Sequence, residues 1–281
     1  METGITLLTH SNINNVKAAE LFLKQNSLKI KSPDFALLRQ IVKNFSIFPY
    51  ENISKIIKSR KSEGIDRLRL PQEVYSEHRE YNFGGTCFSL TYYLKSILDI
   101  SGYSSYPVLA DMNWGKNVHC SLVVHIDSVK YLVDPGYLLT EPMEINPLKP
   151  RVYMNEFSGV ELIFRQNQNI VELFTFNRNE LKWRYRFRDE PADDEMFFKA
   201  WSDSFNWKTM KGICLNKIEK KTRIYIHNHF MREENFSGKK NYKIKNNLHI
   251  VVNERFGIDK HFVEEALTNV ELIRGKHNQA E

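Results

Sequence analysis

At Gly102 the hydrophobic period of this chain changes from 3.6 to 2, and few folds accommodate both halves of such a sequence. Before that glycine, apolar residues recur three and four apart. NVKAAELFLKQ reads as a helix, and SPDFALLRQIVKNF reads as a second one with Ser32 as its cap and Pro33 in its first turn, followed by Phe35, Leu37, Leu38 and Ile41. The strongest signal is CFSLTYYLKSILDIS. Thr86 is placed to cap it, Leu90, Leu94, Ile97 and Leu98 fall on one face, and Gly102 supplies the stop.

Beyond Gly102 the segments YPVLADM, VHCSLVVHI, KYLVD, VELIFRQ, IVELFTF and KWRYRFR are short, rich in β-branched and aromatic residues, and separated by turn formers. They predict an antiparallel sheet curled into a small barrel. A helix is expected at DDEMFFKAWSDSF. GICLNKI, TRIYIHN and NNLHIVVNERF then alternate again, and KHFVEEALTNVELI closes the chain as a helix.

Composition narrows the class. Of the 281 residues 42% are hydrophobic, which is enough for a packed interior, yet no apolar run approaches the roughly 20 residues that cross a bilayer. The first residues have neither a basic region nor a long apolar stretch, so a cytoplasmic protein is expected, without a membrane partner. The three cysteines, Cys87, Cys120 and Cys214, are odd in number and lack CxxC spacing; reduced thiols are expected, with no disulfide framework and no metal. The net charge of +6 gathers in residues 55–69, 217–223 and 239–245, which suit either an anionic ligand or a solvated lysine-rich surface. No nucleic-acid motif accompanies the charge, and none is expected as a partner.

The chemistry concentrates in two places. In GGTCFSL, two glycines permit close backbone approach and Cys87 falls in the first helical turn, where free amide groups and the helix dipole favour a thiolate. A buried packing cysteine is the plainer alternative, and Cys120 and Cys214 read as such. In HCSLVVHIDSVKYLVDPGY, a hairpin turning at Asp127 and Ser128 pairs Ile126 with Val129, Val123 with Leu132, Ser121 with Asp134 and His119 with Gly136. His119 and Asp134 then share a face within hydrogen-bonding reach, while Gly136 leaves room for the imidazole to turn; His125, on the same face, is expected to be exposed beside Lys130. A slip of one residue would separate the pair. Cys87, His119 and Asp134 together suit acyl transfer through a thioester, with the imidazole as base and the carboxylate fixing its tautomer.

These residues resemble the arylamine N-acetyltransferase family. FPYENI at 48–53 is similar to that family's PFEN segment, GGTC at 84–87 to its Arg-Gly-Gly-x-Cys turn, and the hairpin ending DPGY to its histidine strand and Asp-x-Gly-Phe. AWSDSFNW and the final strand and helix pattern extend the likeness over nearly the whole chain. The resemblance implies an α+β fold with a cysteine-protease-like Cys-His-Asp core: a helical bundle over 1–104, an antiparallel β-barrel over 105–190 and an α/β lid over 191–281. It further implies acetyl-coenzyme A as co-substrate and an aromatic amine or hydrazine as acceptor. Tyr50, Met112 and Tyr137 match positions near the acceptor, and Gly136 lies in the turn that approaches the coenzyme.

The departures from the family pattern are Phe83 in place of the arginine before the glycines, Ser89 for a glutamate, Thr91 for an asparagine and Leu138 for the last glycine of the aspartate turn. That arginine neutralises acidic groups including the one matched by Glu51, so a buried Glu51 requires another partner. Three alternatives remain open on sequence: an amide synthase that takes its acyl chain from a carrier protein, a transglutaminase- or protease-like amidase, and a binding protein that has lost activity.

Overall fold

The computed structural model describes residues 2–278 apart from 31, 155–157, 178–179 and 236. The first part is helical: α1 (Glu2–Gln25), α2 (Phe35–Phe45), a two-residue strand β1 (Tyr50–Glu51), α3 (Ile53–Lys61), α4 (Pro71–Tyr81) and α5 (Cys87–Ile100). The spacing expected in sequence is what buries these helices: Ala18, Ala19, Phe22 and Leu23 of α1 meet Leu38, Ile41 and Phe45 of α2 and Leu90, Leu94 and Ile97 of α5 in one core. Phe22, Phe45, Phe48 and Tyr93 form a cluster of tilted and edge-on rings at its centre. The α2 cap differs from expectation. Asp34, not Ser32, accepts from the Leu37 amide at 2.7 Å, so Pro33 precedes the helix. Thr86 occupies the N-cap position of α5, but its side chain makes no capping hydrogen bond.

The second part is all strand: β2 (Ser104–Met112), β3 (Gly115–Ile126), β4 (Val129–Val133), β5 (Met143–Glu144), β6 (Arg151–Met154), β7 (Gly159–Arg165), β8 (Ile170–Phe176) and β9 (Leu181–Arg188). They form an eight-stranded antiparallel sheet in the order β5-β4-β3-β2-β9-β8-β7-β6, whose end strands approach each other so that it nearly closes into a barrel. Val108, Val123, Leu132, Leu162, Leu173 and Tyr185 fill its interior. The hairpin turns at Asp127, which adopts φ 53°, and its register is the expected one, with Ile126 opposite Val129, Val123 opposite Leu132 and His125 opposite Lys130. Pairing stops at Leu122–Val133. The two further pairs read from the sequence, Ser121–Asp134 and His119–Gly136, do not form, because β4 ends at Val133 and the chain turns at Asp134. His125 is half-buried against the Tyr106 ring rather than exposed.

The third part opens with α6 (Asp194–Asp203), capped by Asp193, and continues through β10 (Cys214–Glu219), β11 (Thr222–His227), β12 (Phe230–Asn235), β13 (Gly238–Lys243), α7 (Leu248–Phe256) and α8 (Lys260–Asn278). NNLHIVVNERF was expected to alternate as a strand and is instead α7. Leu248, Val252 and Phe256, four apart, are its buried residues, and Gly257 at φ 72° ends it. The short strand β1 joins the edge of this second sheet through Tyr50–Asn216 and Glu51–Leu215, tying the helical part to the lid. Phe262 of α8 packs back on Tyr81 and Phe83, at 4.9 Å between ring centres in each case. Among the described residues no helix is long and apolar enough to cross a membrane.

Candidate active site

The site is assembled around the first turn of α5, and the two glycines before it are fixed by contact. A Cβ on Gly84 would stand 1.8 Å from the Pro49 carbonyl oxygen, and one on Gly85 would stand 2.3 Å from Ser89 Oγ. The backbone therefore runs against β1: the Glu51 amide donates to the Gly85 carbonyl at 3.0 Å, and the Gly85 amide to the Pro49 carbonyl at 3.2 Å. Asn52 extends the tie to the lid. Its amide group donates to the carbonyls of Gly212 and Thr209 and accepts from the Cys214 amide. FPYENI and GGTC are thus two halves of one staple that holds Cys87 under the second sheet.

Cys87 faces the barrel. A Cβ on Gly136 would lie 2.6 Å from the Cys87 Cβ and 3.1 Å from His119 Cε1, so the aspartate turn, the cysteine and the imidazole are packed to the limit that glycine allows. His119 Nε2 is 2.7 Å from Asp134 Oδ2, with His119 4% exposed and Asp134 wholly buried. Asp134 also accepts from the Tyr185 hydroxyl at 2.6 Å and from the Tyr137 amide at 2.8 Å, which leaves the carboxylate satisfied on both oxygens. The sequence reading had no signal for Tyr185. Its place in the alternating segment KWRYRFR marks an inward residue but not the bond it makes.

The charges in this cluster are coupled. Burial disfavours a charged imidazole, but the Asp134 carboxylate and its hydrogen bond, together with Cys87, outweigh burial and push His119 up to about 10. The Cys87 thiol is held well below the ordinary thiol range, first by a hydrogen bond from Cys120 and, against the cost of burial, by the hydrogen bond and charge of His119 and the charge of Lys55. Cys120 is buried as expected of a small hydrophobe, yet it is also a partner of Cys87, and burial keeps its own thiol protonated. A thiolate beside an imidazolium, itself locked on a carboxylate, can attack an acyl carbon and return a proton to the leaving group.

Behind the site lies a second charged cluster. Glu51 is wholly buried, accepts from the Ser54 amide at 3.0 Å and from its hydroxyl, and has Arg69 Nη1 3.6 Å away. Arg69, with a side chain 3% exposed, also donates to the Gly84 carbonyl at 2.7 Å and to Glu77 at 2.5 Å. The guanidinium absent at position 83 is thus supplied from position 69, while Phe83 packs on the lid. Residues 55–69 are accordingly only in part a solvated basic surface: Arg60 and Lys61 are exposed, but Lys55 and Arg69 are both buried, and Lys58 is bonded to Glu73 and to the Leu68 carbonyl.

A cavity of about 460 Å³ opens onto Cys87 and His119. Tyr50, Met112, Tyr137 and Gly136, all singled out in sequence, line it, as do Arg223 and Lys239 from the basic segments 217–223 and 239–245; Trp114, Trp207, Lys182, Arg184 and Arg232, which the sequence did not mark, line it too. Among the described residues no group of three or more histidine, cysteine or acidic side chains is arranged to hold a metal.

The chain matches a family model described as N-acetyltransferase over residues 34–264. No curated protein sequence matches it significantly. Its fold is similar to that of the arylamine N-acetyltransferase from Mycobacterium abscessus, with a TM-score of 0.75 at 15% identity over 89% of this chain and 93% of that one. The arylamine N-acetyltransferases from Salmonella typhimurium and M. tuberculosis give TM-scores of 0.72 each, at 12% and 19% identity, over 89% of this chain and 98% of theirs.

Proposed function

The chain belongs to the arylamine N-acetyltransferase family and is an acyltransferase, and on that premise we propose that it moves an acetyl group from acetyl-coenzyme A through a thioester on Cys87 to an aromatic amine or hydrazine. In the first half-reaction the Cys87 thiolate attacks the thioester carbonyl; its sulfur bonds to the acyl carbon, the bond to the coenzyme sulfur breaks, and His119 gives its proton to that leaving thiolate. In the second, the amine attacks the acyl-cysteine, His119 accepts the proton the nitrogen sheds, and the Cys87 thiolate is restored as the carbon–sulfur bond breaks. Asp134 keeps the imidazole in one tautomer and stabilises its charged form. Tyr50, Met112 and Tyr137 form the wall on which the acceptor ring packs, and Gly136 leaves the coenzyme's thioester its path to the sulfur.

One observation carries this reading: His119 Nε2 bonded to Asp134 at 2.7 Å beside a thiol that is held low, on a cavity of about 460 Å³. Intact mass after mixing with acetyl-coenzyme A is expected to rise by one acetyl group, and the label is expected to leave when an arylamine is added. Failure to label, or a label that persists in Cys87→Ser, overturns it.

A further inference from the structure

Lys55, the third residue of α3, is 6% exposed and lines the same cavity as Cys87 and His119. A buried lysine ordinarily sits on a carboxylate, yet among the described residues no carboxylate accepts from its Nζ. It donates instead to the carbonyl and hydroxyl of Ser204, at 3.1 and 2.5 Å, and stands 4.4 Å above the centre of the Phe205 ring and 5.9 Å above that of Trp207. The charged and titratable groups that face it are Arg67, whose guanidinium lies over the same Phe205 ring at 4.9 Å, Cys87 from α5 and Cys120 from β3.

Neutral partners and a second cation do not hold an ammonium in the interior. Burial lowers Lys55 most, Cys87 and more weakly Cys120 raise it, Arg67 lowers it, and the balance of all four brings it down to about 7. Cys120 is kept protonated by burial. The Cys87 thiolate is therefore the counter-charge, and it disappears when the sulfur is acylated.

We propose that Lys55 is the counter-ion of the Cys87 thiolate, charged in the free enzyme and giving up its proton when Cys87 takes an acyl group. The inference rests on the thioester reading above. In balance, thiolate, imidazolium and ammonium with the acyl thioester become acyl-cysteine, imidazole, neutral amine, free coenzyme thiol and one proton in solvent. A neutral amine in the cavity then replaces the ammonium at the stage when a nitrogen nucleophile must enter. Lys55 acts through Cys87, as a positioning residue.

The experiment has two arms. Mixing the enzyme with acetyl-coenzyme A in weak buffer at pH 6.5, with an indicator dye and no acceptor, is expected to release a large fraction of one proton per acetyl group counted by mass. Lys55→Arg, which stays charged, and Lys55→Met, which has no proton to give, are expected to take the label with release reduced at least threefold. Release unchanged in both variants, or absent in the wild type while the label forms, overturns the proposal. The second arm follows iodoacetamide alkylation of Cys87 against pH and stands whether or not the label forms. Lys55→Met should raise the midpoint by about one pH unit, or tenfold in rate on the acid limb, while Lys55→Arg leaves it in place. A midpoint unmoved in Lys55→Met sinks the coupling. Absence of label alone counts against the thioester and not against the ion pair.

Discussion

Asp134 and Glu51 are both wholly buried and each belongs to a segment packed on the turn that carries Cys87, but their cations differ. Asp134 holds an imidazole, which can lose its proton; Glu51 faces Arg69, which cannot. Their settings differ in the same sense. Asp134 is reached from β3, β9 and its own turn and borders the cavity through Gly136 and Tyr137. Glu51 is enclosed by Ser54, Arg69 and the nucleophile turn, and Arg69 reaches out to the half-exposed Glu77. The comparison separates a cluster whose charge moves during a reaction from one whose charge keeps a backbone in place. A buried ion pair is poor evidence of stabilisation by itself, but either of its halves left alone is costly.

The largest effect expected from this contrast is on activity. Asp134→Asn keeps the shape and removes the charge that raises His119, so the imidazolium loses its proton at lower pH and the Cys87 thiolate loses its partner. Acetyl transfer, as kcat/KM, should fall about 10³–10⁴-fold, and alkylation of Cys87 near pH 6 should slow with it. With His119 in place the ion pair spans the window from the lowered thiol value up to about 10, so wild-type alkylation should be flat through neutrality and rise again only above that. Loss of less than tenfold in Asp134→Asn would put the two carboxylates in the same class.

On the other side, Arg69→Met leaves Glu51 without its cation, and unfolding by denaturant should show a loss of about 3–5 kcal/mol. Glu51→Gln in the same chain should restore part of it. Activity per folded molecule should change far less than in Asp134→Asn. A catalytic loss as large as that one breaks the comparison, because it would make Glu51 part of the reacting cluster.

How much of this could be read from residues alone differs between the two clusters for a physical reason. His119 and Asp134 are joined by a tight hairpin, so strand alternation and one turn suffice to bring them together, and they do so even though the last two ladder pairs are replaced by the turn at Asp134. Arg69 and Lys55 come from helix and loop positions whose side chains travel through the interior, where no local period announces the partner; runs of lysine and arginine suggest solvent instead. Tyr185 shows its inward face in the strand pattern but not its bond. Helices α1, α2 and α5 and strands β2 to β4 and β7 to β9 follow from period, whereas α3, α4, β5 and β6 do not. α7 departs from the expected strand because Leu-His-Ile-Val-Val suits either period, and only packing of Leu248, Val252 and Phe256 decides. β12 and β13 are rich in charged and polar residues, and cross-strand bonding to β11 gives them their form.

The smallest effect tests the turn itself, apart from the charge it carries. Leu138 replaces the glycine of the aspartate turn and adopts φ 56°, a left-handed backbone that costs a branched residue about 1–2 kcal/mol. It is 3% exposed and borders a small crevice with Val42, Phe45, Leu94 and Val133, away from the cavity at Cys87. Truncating a buried leucine costs about 2–5 kcal/mol, which exceeds the strain, so burial explains why leucine is tolerated there. Leu138→Ala loses the packing and keeps the strain; Leu138→Gly loses slightly more packing and sheds the strain. The glycine variant should therefore be the more stable of the two by about 1 kcal/mol in denaturant unfolding, with acetyl transfer in both within a few fold of the wild type. Equal stabilities would mean that the turn relaxes freely. A large loss of transfer in the glycine variant would mean that the leucine, and not the Asp134 bonds to Tyr185 and the Tyr137 amide, holds the carboxylate in line with His119.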